Sequence, residues 1–267
     1  MSPAPSLVDL VRWGTLDAEL AALAWLLVEG GLPLTVVGGA PLADRARVAQ
    51  AILSTPPDEP FVLIDADADR AGLATLAARI RGGLRVGITL QATDLRHAME
   101  RLTEPPDGLA EDAVRRLGVV LVVASVPTTA VGPIEDRARI VAAHYLRPTE
   151  RDPQGHIQRR PPAVLATWVP DLDAFDHFAW GMTPELADLV DRTQASFEEL
   201  QSSRISALRS LAGHVAAAEG SASYPGSDPM TALRSILATE PARQAAMARG
   251  VAAPLPIRNP LTDPHVH

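Results

Sequence analysis

Apolar and amphipathic stretches alternate along the first half of the chain. Mainly apolar runs, typical of strands buried on both faces, occupy residues 32–37, 61–64, 87–92 and 119–126. Helical spacing of apolar residues predicts helices over residues 16–28, 42–53, 72–81, 94–102 and 109–116. Strands that alternate with helices indicate an α/β fold with a parallel sheet covered by helices.

The pattern changes after about residue 127. Three further strands are predicted over residues 139–146, 163–169 and 174–180, and an antiparallel meander is their simplest arrangement. Farther on, the chain is predicted to be helical over residues 185–191, 195–219 and 229–248, with a linker rich in Ser, Gly and Pro at 220–228.

These elements divide the chain into four parts. We predict an α/β core over residues 1–130, a β-meander packed on the core over 131–183, a helical extension over 184–250, and an extended tail over 251–267.

The composition excludes several kinds of chemistry. The 267 residues include no cysteine and no lysine, so all 24 Lys and Arg positions are arginine. A Schiff-base lysine, a P-loop lysine, a cysteine nucleophile and a cysteine-ligated metal site are therefore excluded.

The net charge of −8 and the low aromatic content of 4% argue against a nucleic-acid partner. No apolar run reaches the roughly 20 residues of a membrane span, and we expect a cytoplasmic protein.

The first predicted strand ends in Gly38 and Gly39 and a helix follows, which is the topology of a phosphate-binding loop. In the motif G-x-x-x-x-G-K-[ST], Gly38 fits the first position. Ala43 replaces the second glycine, Asp44 replaces the lysine and Arg45 replaces the Ser or Thr that binds magnesium. The strand–turn–helix topology is kept. The phosphate-binding chemistry is lost, because a carboxylate at the lysine position repels a triphosphate. An ordinary α/β turn with two glycines is the alternative interpretation.

One long segment of the chain reads LVRWGTLDAELAALAWLLVEGGLPLTVVGGAPLADRARVAQAILSTPPDEPFVLID. It resembles the start of the motor domain of type II and type IV secretion and pilus-assembly ATPases. That domain begins with a helix, followed by an LLVxGGTGSGKTTLLNAL loop and an IPPxERIVTIED strand. GITLQATDLRHAMERL is similar to the family's GSLTTIHANSPRDALxRL, and RARIVAAHYLRP and AVLATWVPDLDAFDHF are similar to the strand and hairpin that follow. The similarity covers roughly residues 7–178 and implies a RecA-like P-loop NTPase core.

The departures from this family imply a shortened relative with degenerate Walker motifs. Gln91 stands where the family has its catalytic histidine, and the stretch that would hold the Walker B strand is missing between Asp69 and Gly87. We therefore carry no catalytic role over to any residue. The resemblance implies a pseudoenzyme that has lost ATP hydrolysis, for which ATP, ADP and magnesium are doubtful ligands.

The same resemblance implies a setting for the protein. It would serve as a structural or regulatory partner in a secretion or pilus-type assembly, beside a full-length ATPase or as a homo-oligomer, in the cytoplasm or peripheral to the inner membrane.

Three alternating aspartates, Asp65, Asp67 and Asp69, follow the second predicted strand and suggest another activity. On an extended strand they would share one face, where hard cations such as Mg²⁺ bind carboxylates. An apolar strand ending in Asp-x-Asp also resembles haloacid-dehalogenase-type phosphatases. The alternative function is therefore a magnesium-dependent phosphatase or other hydrolase that uses Asp65 and Asp67, and a solvated acidic loop is the non-functional interpretation.

Overall fold

The computed structural model describes residues 5–55, 60–79, 85–106, 108–127, 136–152, 154–219 and 231–233. Within these ranges the helices are α1 (Leu7–Arg12), α2 (Ala18–Glu29), α3 (Leu42–Leu53), α4 (Arg70–Arg79), α5 (Leu95–Thr103), α6 (Glu111–Val114), α7 (Thr183–Leu189) and α8 (Gln194–Glu219). The strands are β1 (Leu34–Gly38), β2 (Phe61–Asp65), β3 (Arg85–Gln91), β4 (Val119–Pro127), β5 (Asp136–Tyr145), β6 (Glu150–Arg151), β7 (Ile157–Gln158), β8 (Ala163–Val169) and β9 (Ala174–His177).

Seven of the strands form one mixed sheet in the order β2-β3-β1-β4-β5-β8-β9. The first four run parallel, as their apolar sequences predicted. Strands β5, β8 and β9 are antiparallel and continue the same sheet from the edge of β4. The α/β class with a largely parallel core is therefore confirmed, and β6 and β7 form a separate small ribbon.

Helices cover both faces of the sheet, and each face has its own core. The core on one face contains α2, α3 and α8 together with residues such as Val36 and Leu121. The other core contains α4, α5 and α6 together with Ile88 and Val122. Neighbouring residues of one strand thus face opposite cores, which is why these strands lack polar alternation.

Helix α2 is buried at Ala18 and at every residue from Leu20 to Val28, and it belongs to the larger core. A helix that is apolar on all sides needs partners on several sides, and α2 contacts both α3 and α8. The helix stops at Gly30, where a Cβ atom would lie 2.2 Å from Val190 Cγ1. Glycine is needed here because the chain passes so close to the end of α7.

Most predicted elements are present with shifted ends, and two differ in kind. The helix predicted over 109–116 is only α6, followed by a 3₁₀ turn at Arg115–Leu117. The last meander strand ends at His177, and Ala179–Met182 is a 3₁₀ turn in place of strand. Helix α1 and the β6–β7 ribbon were not predicted. The linker at 220–228, the tail at 251–267 and the helix predicted over 229–248, apart from residues 231–233, lie outside the described residues.

Candidate functional site

The connections of the parallel strands change direction between β1 and β3. Helix α3 follows β1 and packs on one face of the sheet, whereas α5 follows β3 and packs on the other face. Since β1 and β3 are neighbours, their carboxyl ends, Gly38 and Gln91, lie side by side at this change of direction. Such a topological switch point is where open α/β sheets bind ligands.

The turn at this point is shorter than a phosphate-binding loop. Only Gly39, Ala40 and Pro41 separate β1 from α3, which begins at Leu42. In the motif G-x-x-x-x-G-K-[ST], four residues stand between the first glycine and the second. The positions of the second glycine, the lysine and the hydroxyl residue, held by Ala43, Asp44 and Arg45, are therefore already in the first turn of the helix.

The side chain of Arg45 folds back into the turn and is buried, with the residue only 4% exposed. Its Nη1 atom donates to the carbonyl oxygen of Gly38 over 3.1 Å and to that of Ala40. In a phosphate-binding loop, backbone N–H groups point at the anion. Here two carbonyl oxygens of the turn point at a cation that the chain itself supplies.

Asp67 lies in the turn after β2, and its carboxylate is the counter-charge of Arg45. Its Oδ2 atom lies 3.6 Å from Arg45 Nη2 and accepts a 2.7 Å hydrogen bond from the backbone N–H of Gln91. Its Oδ1 atom lies 3.1 Å from Nη1 of Arg101 on α5. Arg101 Nη1 also donates to the carbonyl oxygen of Gln91 over 2.8 Å. We call Arg45, Asp67, Gln91 and Arg101 the switch-point cluster.

The cluster joins three connections of the sheet. Arg45 comes from the helix after β1, Asp67 from the turn after β2, and Gln91 and Arg101 from the end of β3 and the helix after it. The carboxylate lies between two guanidinium groups, and its side chain is 24% exposed. A partly buried, charge-assisted network of this kind fixes the relative positions of the elements it joins.

The three aspartates of the predicted cation site have separate roles. Strand β2 ends at Asp65, whose Oδ1 accepts a 3.2 Å hydrogen bond from the Asp67 N–H, so the chain turns there and the three side chains do not follow one strand face. Asp69 accepts a 2.7 Å hydrogen bond from the Gly72 N–H in the first turn of α4. In the described part of the chain, no group of three or more His, Asp or Glu residues is placed to hold a metal ion.

The remaining loop positions have structural roles as well. A Cβ atom on Gly38 would lie 2.0 Å from the carbonyl oxygen of Val123, so the close approach of β4 requires glycine. Asp44 lies in the first turn of α3, where a carboxylate favours the helix dipole, and pairs at 3.5 Å with Arg47. Gln91 enters the cluster through its backbone, while its side chain is exposed.

A second polar group follows Gln91 at the start of α5. Asp94 caps this helix by accepting a 2.9 Å hydrogen bond from the His97 N–H. That hydrogen bond, with one from the Thr93 hydroxyl, holds the pKa of Asp94 below its usual value. His97 Nδ1 lies 3.2 Å from Thr93 Oγ1. The carboxylate of Asp94 therefore stays charged, and it is engaged in the hydrogen bond that caps α5.

The sequence predicted nine site positions and missed Arg101; the nine are Gly38, Gly39, Ala43, Asp44, Arg45, Asp65, Asp67, Asp69 and Gln91. The structure brings Arg45, Asp67 and Gln91 together and leaves Asp65 and Asp69 in turn and capping roles. Arg101 carries no motif signal, because its contact with Asp67 depends on the order β2-β3-β1 of the sheet.

No described helix is both long and apolar enough to cross a membrane. A comparison with models of known protein families found no match. A comparison with curated proteins found no match either.

Proposed function

We propose that this chain is a non-hydrolysing relative of secretion and pilus-assembly motors, with a RecA-like core, that acts as a structural or regulatory partner in such an assembly. One observation carries the proposal. The buried Arg45 guanidinium stands in the turn after β1 and is held by the carbonyl oxygens of Gly38 and Ala40 and by Asp67.

The residues of this turn do not fit magnesium-ATP. A nucleotide phosphate needs N–H donors directed at it and a lysine or similar cation free to pair with it. Arg45 is a cation, but its Nη1 atom donates to two carbonyl oxygens of the turn and its Nη2 atom lies 3.6 Å from Asp67. Asp44 adds negative charge at the start of α3.

The sheet supports the proposed relationship to a motor core. Strand β1 of this strand–turn–helix unit lies between β3 and β4 in the parallel part of the mixed sheet, and the turn is at the switch point where a ligand would bind. A chain that keeps this topology while an internal ion pair fills the turn has the features expected of a pseudoenzyme.

The same geometry disfavours the phosphatase hypothesis. A nucleophilic Asp65 would need Asp67 free to act as an acid or base. Asp67 is instead paired with two arginines and accepts a backbone hydrogen bond.

The partner role is tested by mixing the purified chain with the full-length secretion ATPase of the same cell. We expect the two to elute together in gel filtration, and we expect no co-elution with an unrelated hexameric ATPase. The chain alone should contribute no ATP turnover. Separate elution of the chain and the cognate ATPase would contradict the partner role.

A further inference from the structure

A cavity of about 600 Å³ is lined by residues of β5 and the β8–β9 hairpin, which lie toward the sheet edge opposite to β2, and it shares no residue with the switch-point cluster. It is formed where the end of α1, the start of α2, strand β5, the β8–β9 hairpin and α8 meet. Its volume falls within the range of roughly 300–1,000 Å³ that is usual for small-molecule sites.

The charged groups of the cavity leave an excess of positive charge. Three arginines line it, Arg12, Arg139 and Arg209, against two carboxylates, Asp17 and Asp173. Asp173 is already paired with Arg139, with 2.6 Å between Oδ1 and Nη2. Asp17 caps α2 by accepting a 2.9 Å hydrogen bond from the Leu20 N–H. Its Oδ2 atom also lies 2.8 Å from Nε2 of His177.

Among the three arginines of the cavity, Arg209 is the one without a counter-charge in the described part of the chain. It is exposed on α8, and it makes no ion pair with any residue that the structure describes. Arg12, in contrast, lies 3.5 Å from Asp9, which is outside the lining of the cavity. An anion that entered the cavity would therefore meet one guanidinium that is not paired with any of the described residues.

Aromatic surfaces complete the lining. Trp13 is 42% exposed, and the guanidinium carbon of Arg12 lies 5.6 Å from the centre of its ring. Phe175 contributes a second ring. Flat apolar surfaces next to arginine forks suit a ligand that has a planar part and a carboxylate or phosphate group.

We propose that this cavity binds a small organic anion with a planar apolar group, with its charge on Arg209 and its ring against Trp13. A ligand bound there would contact α1, α8 and the β8–β9 hairpin at the same time. This site is independent of the proposed pseudoenzyme role, because it involves no residue of the switch-point cluster.

Calorimetry with phenyl phosphate tests the proposal, and benzyl alcohol serves as the uncharged probe. We expect phenyl phosphate to bind wild-type protein at least tenfold more tightly than benzyl alcohol does. Arg209→Gln should weaken phenyl phosphate binding at least tenfold. Arg96→Gln, which removes an exposed arginine on α5, is the matched control and should leave binding unchanged.

Trp13→Ala provides a second variant, and it should weaken both probes because it removes the ring surface. Circular dichroism and thermal melting check that each variant is folded. The proposal is overturned if phenyl phosphate does not bind at millimolar concentration, if benzyl alcohol binds equally well, or if Arg209→Gln and Arg96→Gln have the same effect.

Discussion

The guanidinium of Arg45 donates to the carbonyl oxygen of Gly38 over 3.1 Å, across the turn that would face a phosphate in a nucleotide-binding loop. Because Arg45 belongs to α3 and Gly38 ends β1, this contact holds the helix to the carboxyl end of the strand. The turn is thus stabilised by the chain's own cation, and its stability should depend on that side chain.

Arg45→Ala should lower the free energy of unfolding by about 2–4 kcal/mol, because hydrogen bonds to charged groups are each worth ~1.5–3 kcal/mol and the carbonyl oxygens lose their donor. The matched control is Arg47→Ala, on the same helix, whose exposed pair with Asp44 should contribute no more than about 1 kcal/mol. Urea denaturation measures both. Equal losses in the two variants would show that Arg45 does not stabilise the turn.

Helix α8 and the turn that precedes it are each attached to α2 by one arginine, and the two arginines differ in burial. Arg204 is 6% exposed, donates to Glu29 Oε2 over 2.7 Å and stacks 4.2 Å from the ring centre of Trp25. Arg192 reaches Glu29 Oε1 at 3.3 Å from a more exposed position. We expect Arg204→Ala to cost about 2–4 kcal/mol of unfolding free energy and Arg192→Ala less than about 1 kcal/mol.

Double-mutant cycles with Glu29→Gln separate the pairing from the packing of Arg204. The coupling energy should be larger for Arg204 than for Arg192. A larger coupling for Arg192 would mean that the buried arginine acts through its stacking on Trp25 alone.

His177 should make stability depend on pH. Burial alone would lower its pKa, but the hydrogen bond with Asp17 and the charges of Asp17 and Glu19 outweigh that effect, so the pKa of His177 is raised. A raised pKa means that the folded state holds the proton more tightly. The stabilisation is therefore complete below the unfolded pKa of about 6.5 and is lost as the pH rises through the folded value.

Measurements of the free energy of unfolding at pH 5.5 and 8.5 check this prediction, and the pH range is chosen around the ordinary histidine value of about 6.5. The difference between wild type and His177→Gln should be larger at the lower pH. His97→Gln, at the start of α5, is the control. A His177→Gln effect that grows toward high pH would reverse the predicted sign.

Added magnesium should not produce phosphatase activity. Asp67 is held by Arg45 and Arg101, and Asp65 orders the turn after β2. We expect wild type and Asp65→Asn to give the same background rate on p-nitrophenyl phosphate, with or without Mg²⁺. Magnesium-dependent turnover that Asp65→Asn abolishes would support the hydrolase hypothesis instead.

Local patterns were sufficient to predict most of the sheet and its helices. Helix α3 has the predicted bounds Leu42–Leu53, because its apolar spacing and the preceding Pro41 both indicate them. Helix α1 was missed although its capping box, Ser6 with Asp9, is present in the sequence. The helix predicted over 109–116 changes to a 3₁₀ turn before Gly118, whose φ of 66° ends it.

The candidate site was only partly predictable, for a physical reason. Gly38 and Arg45 are close in sequence, so a motif comparison identifies their turn. The contacts of Asp67 with Arg45 and Arg101 cross from one connection of the sheet to another. They depend on β3 lying between β2 and β1, and the sequence pattern gives the strands without giving that order.

The central claim is that the turn occupied by Arg45 no longer binds nucleotide phosphates. Titration of the protein with ATP and with ADP in the presence of magnesium tests this claim most directly. The Arg209→Gln variant is titrated in parallel, so that binding in the arginine-lined cavity is recognised by its loss. We predict that calorimetry detects no magnesium-dependent binding to the variant at millimolar nucleotide, and that no phosphate is released. Micromolar, magnesium-dependent binding that persists in Arg209→Gln, together with ATP turnover, would contradict the pseudoenzyme assignment.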